Sequence, residues 1–68
     1  MALSARNQLP GRVTDVKLGT IMAHVTVQVG ENEIESVITR RSAEEMQLKA
    51  GDMVNVVIKS TEVMLSKG

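Results

Sequence analysis

"IMAHVTVQV" (residues 21–29) alternates without a break. Ile21, Ala23, Val25, Val27 and Val29 fall on one face, and Met22, His24, Thr26 and Gln28 on the other. A period of two, rich in β-branched residues, predicts a half-buried strand. "GEN" (30–32) supplies a turn, and "EIESVIT" (33–39) reads as the returning strand of a hairpin.

Upstream, "GRVTDVKLG" (11–19) is a second β segment. Val13 and Val16 are three apart, so alternation fails near Asp15 and a bulge or strong bend is expected there. Pro10 and Gly11 predict a break between this strand and the polar opening. Downstream, "RRSAEEMQLKAGD" (40–52) reads as a short helix. Ser42 with Glu45 fits a capping box. Glu44 and Glu45 suit the first turn. Ala43 and Met46 form an apolar stripe, and Gly51 ends the segment. "DMVNVVIKS" (52–60) alternates again, with Val54, Val56 and Ile58 on one face, and "TEVMLSK" (61–67) reads as a last short strand or a continuation. The expected fold is all-β with one short helix: a five-stranded small barrel of the oligonucleotide/oligosaccharide-binding (OB) type, with an SH3-like barrel second.

Residues 1–68 are one domain. A chain this short buries only about 60% of its unfolded surface, and such chains usually need a metal, disulfides or partner subunits. The sequence has no cysteine and a single histidine, which leaves self-association as the expected staple. It has no Phe, Tyr or Trp, so Val, Ile, Leu, Met and Ala must fill the core. The stacking platforms of single-stranded nucleic-acid binders are missing. Eight basic and eight acidic residues cancel, with no basic block, so general attraction to phosphate backbones is missing too. "MALSARNQLPGR" (1–12) has no apolar h-region, and no apolar run approaches a membrane span. The expected location is the cytoplasm.

No catalytic set is evident. Serines 4, 36, 42, 60 and 66 have one histidine to share, and His24, on the polar strand face, is expected at solvent or an interface. Glu31, Glu33 and Glu35 read as a solvated edge that discourages strand pairing. The glycines at 11, 19, 30 and 51 are single turn glycines, not a phosphate loop. The chain is expected to be no enzyme.

Two segments are polar where a strand would be apolar: "SARNQ" (4–8) and "KST" (59–61). Each joins a cation to a hydroxyl: Ser4 with Arg6, and Lys59 with Ser60 and Thr61. A cation, hydroxyls and backbone N–H groups together suit a tetrahedral oxyanion, and the first segment has no carboxylate to repel one. Two turns with solvated charges would have the same composition.

"SARNQLPGRV" (4–13), "VITRRSAEEMQLKAGD" (37–52) and "VVIKSTEVML" (56–65) resemble the molbindin (Mop) family of small molybdate-binding proteins, over essentially the whole chain and in the same order. The resemblance implies an OB-type domain in a homohexamer, a trimer of dimers. Such an assembly binds molybdate or tungstate at subunit interfaces and stores or buffers it without catalysis. It implies that Ser4, Ala5 and Arg6 supply hydroxyl and backbone donors, that Lys59 and Ser60 supply charge and a second hydroxyl, and that Thr39 adds a contact. Asn7 and Gln8 match the motif as ligand contacts, as supports for neighbouring backbone, or as part of a second class of site near a symmetry axis. No metal atom is expected to be coordinated directly by side chains. His24 matches no part of the motif. The competing readings are an OB-type nucleic-acid-binding module and a regulatory module that senses the oxyanion for a partner.

Overall fold

A computed structural model describes residues 4–68. The start of the N-terminal stretch, residues 1–3, lies outside the described residues. The chain forms strands β1 (Asn7–Leu18), β2 (Met22–Val29) and β3 (Asn32–Thr39), helix α1 (Arg40–Glu45), strand β4 (Met53–Ile58) and a 3-10 turn at Ser60–Glu62. The strands make one antiparallel sheet in the order β3-β2-β1-β4. Among the described residues no helix is long and apolar enough to cross a membrane.

The alternation of 21–29 sets the inner face. Ala23, Val25 and Val27 are buried, and Val13 joins Val25 and Val27 as the centre of the core. Val16, Val29, Ile38, Leu48, Val54 and Val56 pack around them. Ile21 departs from the pattern. It precedes β2 in a bend and is 74% exposed, because the backbone there turns to close onto Arg40, whose N–H donates to the Ile21 carbonyl at 2.7 Å. The β2–β3 hairpin turns through Gly30 and Glu31, and Gly30 has φ +58, the left-handed conformation that two-residue hairpin loops require.

β1 organises the sheet. Its first half pairs with β4 from Asn7↔Ile58 to Arg12↔Met53, and its second half with β2 from Arg12↔Gln28 to Leu18↔Ala23. The register slips between Val13 and Asp15, leaving Thr14 as the extra residue. This is the expected bulge, and it bends the long strand so that each half can serve a different neighbour. The expected break at Pro10–Gly11 does not occur, since β1 runs straight through both. β2 pairing begins only at Arg12, so Pro10 lies where one side of β1 is open, and its missing N–H removes no ladder bond. Gly11 is needed for close approach. A Cβ there would stand 2.7 Å from the Gln28 carbonyl oxygen and 2.7 Å from Val27 Cγ1.

The helix starts earlier than the capping-box reading placed it. Thr39 is the N-cap, and its hydroxyl accepts the Ser42 backbone N–H at 3.1 Å. Ser42 is therefore inside the helix. Glu44 and Glu45 fall in the last turn, where they pair with Arg40 and Arg41 one turn back. Helical hydrogen bonding stops before Gly51. Gln47 takes φ +53, and the N–H groups of Gln47 and Leu48 bond to the carbonyls of Glu44 and Ala43, a Schellman closure built on a glutamine. Ala43 is buried, while Met46 is exposed rather than part of a buried stripe. Gly51, at φ +99, belongs to the next turn. There the N–H of Gly51 donates to the Val13 carbonyl, and the Val13 N–H to the Asp52 carbonyl.

The sequence predicts five strands and the chain forms four. After the 3-10 turn, residues 63–68 form no strand, and β3 and β4 are left as the two sheet edges.

Gly11→Ala is expected to lower stability by about 1–3 kcal/mol, because both the Gln28 backbone and the Val27 side chain would have to move. The measurement is the urea midpoint at unchanged slope, and a midpoint equal to that of the parent would contradict the close-approach role.

Candidate functional site

The two polar segments meet. Asn7 is the first residue of β1 and Ile58 the last of β4, and they pair. The Asn7 side-chain amide also donates to the Ile58 carbonyl at 3.4 Å. Ser4, Ala5 and Arg6 therefore approach this corner of the sheet as Lys59, Ser60 and Thr61 leave it. Segments more than fifty residues apart in sequence come together within one subunit, and no symmetry mate is needed for this.

Exposure along the opening segment continues the alternation of a strand. Ser4, Arg6 and Gln8 are exposed, whereas Ala5, Asn7 and Leu9 are half-buried. The hydroxyl of Ser4 and the guanidinium of Arg6 thus face solvent, while Asn7 is used to bind backbone. Gln8 pairs with Val57 in β4. Opposite, Lys59 is extended, with φ −65 and ψ 137, and its carbonyl accepts the Glu62 N–H at 2.9 Å to open the 3-10 turn. Lys59, Ser60 and Thr61 are all exposed.

The charges at this corner are unneutralised. Lys17, Arg40, Arg41 and Lys49 each lie within 4.0 Å of a carboxylate. Among the described residues, Arg6 and Lys59 have no such partner. Of the eight cations, Lys17, Arg40, Arg41 and Lys49 are matched by local acids, whereas Arg12, Lys67 and the two at the meeting point have no carboxylate within 4.0 Å among the described residues.

Thr39 is elsewhere. It closes β3 opposite Met22, near the Leu18 end of β1, whereas Ser4–Arg6 lie beyond the Asn7 end. β1 has twelve residues, and at about 3.3 Å per residue its ends are roughly 35 Å apart along the strand. Within one subunit Thr39 therefore stands at the opposite end of β1 from the other candidates.

The Thr39 hydroxyl is already engaged. Besides accepting from the Ser42 N–H, it lies 2.8 Å from the Ser42 hydroxyl. The Thr39 hydroxyl donates to the Ser42 hydroxyl, so it is the Ser42 O–H that remains for an external acceptor. Ser42 is thus a candidate that the reading of the sequence spent on a cap. The signal was present, because a Thr ending a strand with a Ser three residues on is itself a helix-start pattern. Arg40 secures this end. Its backbone N–H and its guanidinium bond to the carbonyls of Ile21 and Gly19, tying the β1–β2 turn to the helix start.

His24 is remote from both segments. Its Nε2 is 2.9 Å from Glu35 Oε1 across the exposed face of β2 and β3, and β3, which carries Glu33 and Glu35, is an edge strand as the acidic run predicted.

The arrangement is a donor-rich, cation-bearing corner on an antiparallel β sheet, a composition whose chemistry suits an anion. The TOBE domain pattern matches residues 3–65, and the chain belongs to that family. It is 47% identical over 66 residues to molybdenum-pterin-binding protein 1 of Clostridium pasteurianum, covering 96% of this chain and 97% of the relative. Its fold matches a molybdate-binding protein from Sporomusa ovata at a TM-score of 0.95 and 33% identity, over 98% of this chain and 100% of the other. It also matches the cytoplasmic molybdate-binding protein ModG, solved with molybdate bound, at a TM-score of 0.82 and 38% identity, over 88% of this chain and 43% of ModG. The mostly-β architecture with one short helix is thus shared with OB-type molybdate-binding folds.

Thr39→Ala is expected to lose the helix cap and about 1 kcal/mol of stability, whereas Thr39→Ser keeps both hydroxyl bonds and most of that stability. Thermal unfolding followed by circular dichroism distinguishes them, and equal losses for both variants would remove the capping role.

Proposed function

We propose that the chain binds molybdate or tungstate at interfaces between copies of itself, in a homohexamer arranged as a trimer of dimers, and stores or buffers the oxyanion in the cytoplasm without transforming it. The observation that carries this reading is the pairing of Asn7 with Ile58, which sets the Ser4–Arg6 and Lys59–Thr61 segments side by side with both cations free of carboxylates. The names of the relatives and structural neighbours point to the same ligand class.

The chemistry is consistent with a dianion. Two unpaired positive charges offset two negative ones, which matters because burying an uncompensated charge between subunits is strongly unfavourable. Arg6 brings a planar fork of N–H donors and Lys59 a compact ammonium. The Ser4 and Ser60 hydroxyls and the N–H groups of Ala5 and Arg6 supply directed donors. The linked Thr39–Ser42 hydroxyls supply a further donor from a neighbouring copy, its free O–H on Ser42. Asn7 serves by fixing the β1–β4 corner, and Gln8, on the exposed side, is placed to reach the ligand or an adjoining subunit. The side chains touch oxygen atoms rather than the metal. A site made of donors admits an ion with no proton of its own and rejects one that must place a proton, which separates molybdate from monohydrogen phosphate. Discrimination against sulfate has to come from size.

Calorimetric titration of the assembled protein with molybdate tests this. Lys59→Ala and Arg6→Ala are each expected to weaken binding by roughly 10- to 100-fold, the worth of one or two charge-assisted hydrogen bonds. Heats unchanged by both substitutions would sink the site assignment. Phosphate at neutral pH is expected not to compete. Molybdate at a hundredfold excess over its Kd should add about 2.7 kcal/mol of stability, seen as a rise in Tm that phosphate does not reproduce.

A further inference from the structure

One side chain braces the linked hydroxyls of Thr39 and Ser42. Arg40 follows Thr39 directly, and its backbone N–H donates to the Ile21 carbonyl at 2.7 Å. Its Nη1 donates to the Gly19 carbonyl at 3.1 Å, and its Nε to Glu44 Oε2 at 3.3 Å. The end of β3, the β1–β2 turn and α1 therefore converge on a single guanidinium. The turn is itself closed, since the Gly19 N–H donates to the Met22 carbonyl at 2.8 Å. Met22 in turn pairs with Thr39 across β2 and β3. Thr39, Met22, Gly19 and Arg40 thus form one closed ring of contacts.

A hydroxyl proton rotates to suit its surroundings. The Ser42 oxygen accepts from Thr39, so the Ser42 proton points away from Thr39. Its direction follows from where Thr39 stands relative to α1, and the ring decides that. Arg40 has no charge to spare for a guest, because Glu44 matches it. Its guanidinium is instead spent on two elements at once. A rigid planar fork can do this, and the compact ammonium of a lysine cannot. The Arg40 side chain is 42% exposed, so its replacement leaves no buried cavity.

We propose that Arg40 is a positioning residue for the oxyanion site. It bridges the β1–β2 turn and α1 so that the Ser42 O–H is aimed at the ligand. It strengthens binding through geometry, without touching the ligand or lending it charge. This role rests on the oxyanion reading and deepens it. A cation acting through space would be replaceable by lysine, and its effect would fade with added salt. A bridge is lost with lysine, and its effect is indifferent to salt.

Molybdate calorimetry on the full chain compares the parent with Arg40→Met, Arg40→Lys, Ser42→Ala and the double variant Arg40→Met/Ser42→Ala. Arg40→Met and Arg40→Lys are each expected to weaken binding by roughly 3- to 10-fold, and by the same factor at low and high salt. In the Ser42→Ala background Arg40→Met is expected to add nothing, because the donor it aims is gone. Parent-like affinity in either Arg40 variant, a factor that shrinks with salt, or full additivity with Ser42→Ala would overturn the proposal. Amide hydrogen exchange supplies a readout that needs no molybdate. In Arg40→Met the Ser42 N–H is expected to exchange roughly 10-fold faster, while amides at the Asn7–Ile58 corner keep the parent rate. An unchanged Ser42 rate, or an increase spread over all four strands, counts against the brace. No heat from the parent protein removes the oxyanion reading and this role with it, whereas heat from the parent with equal affinity in Arg40→Met removes this role alone.

Discussion

The double pairing of β1 is the constraint on which the rest of the molecule depends. One twelve-residue strand serves β4 with its first half and β2 with its second. Twist alone does not let a straight strand do this. The extra residue at Thr14 supplies the bend, and the absence of a side chain at Gly11 lets β1 pass the end of β2 at close range. From that crossing follow the position of the core under Val13 and the corner at which both polar segments arrive.

That corner differs electrically from the remainder of the surface. The formal charge of the chain is zero, yet the neutralisation is local and uneven. The helix consumes Arg40 and Arg41 against Glu44 and Glu45, and the turn before β4 consumes Lys49 against Asp52. These exposed pairs contribute little to stability. Their effect is to confine unpaired positive charge to a few places, of which the Asn7–Ile58 corner is the one where two such cations arrive together, from the start of β1 and the end of β4. Zero net charge and a cationic site are thus compatible, and the overall balance alone could not reveal the second.

Much of the fold was legible because it rests on local pattern. The alternation of 21–29, the Gly30 turn and the misfit between Val13 and Val16 all describe backbone that a single strand or hairpin determines for itself. What the sequence hid was relational. Pro10 and Gly11 resemble a break until the open side of β1 is known, and then they are what permits continuity. Ser42 resembles a cap until the end of β3 is known, and then Thr39 takes that role. The apolar run 63–65 resembles a strand, but composition alone does not make one, and no neighbouring strand pairs with it. The candidate site divides along the same line. Residue types in "SARNQ" and "KST" mark an anion-friendly composition, but only the register brings Arg6 beside Lys59, and only the length of β1 removes Thr39 from their company.

The pairing of Asn7 with Ile58 has one more consequence. The chain enters the sheet at Asn7 and leaves it at Ile58, at the same corner, and closely spaced entry and exit points of this kind make a domain portable. Polypeptide that arrives and departs at this corner can continue into a further unit, or into an unrelated domain, while the registers of β1–β4 stay as they are. The fold is in effect a cassette with both leads on one side, and the same corner that gathers the polar segments is the place where a longer polypeptide can be wired through.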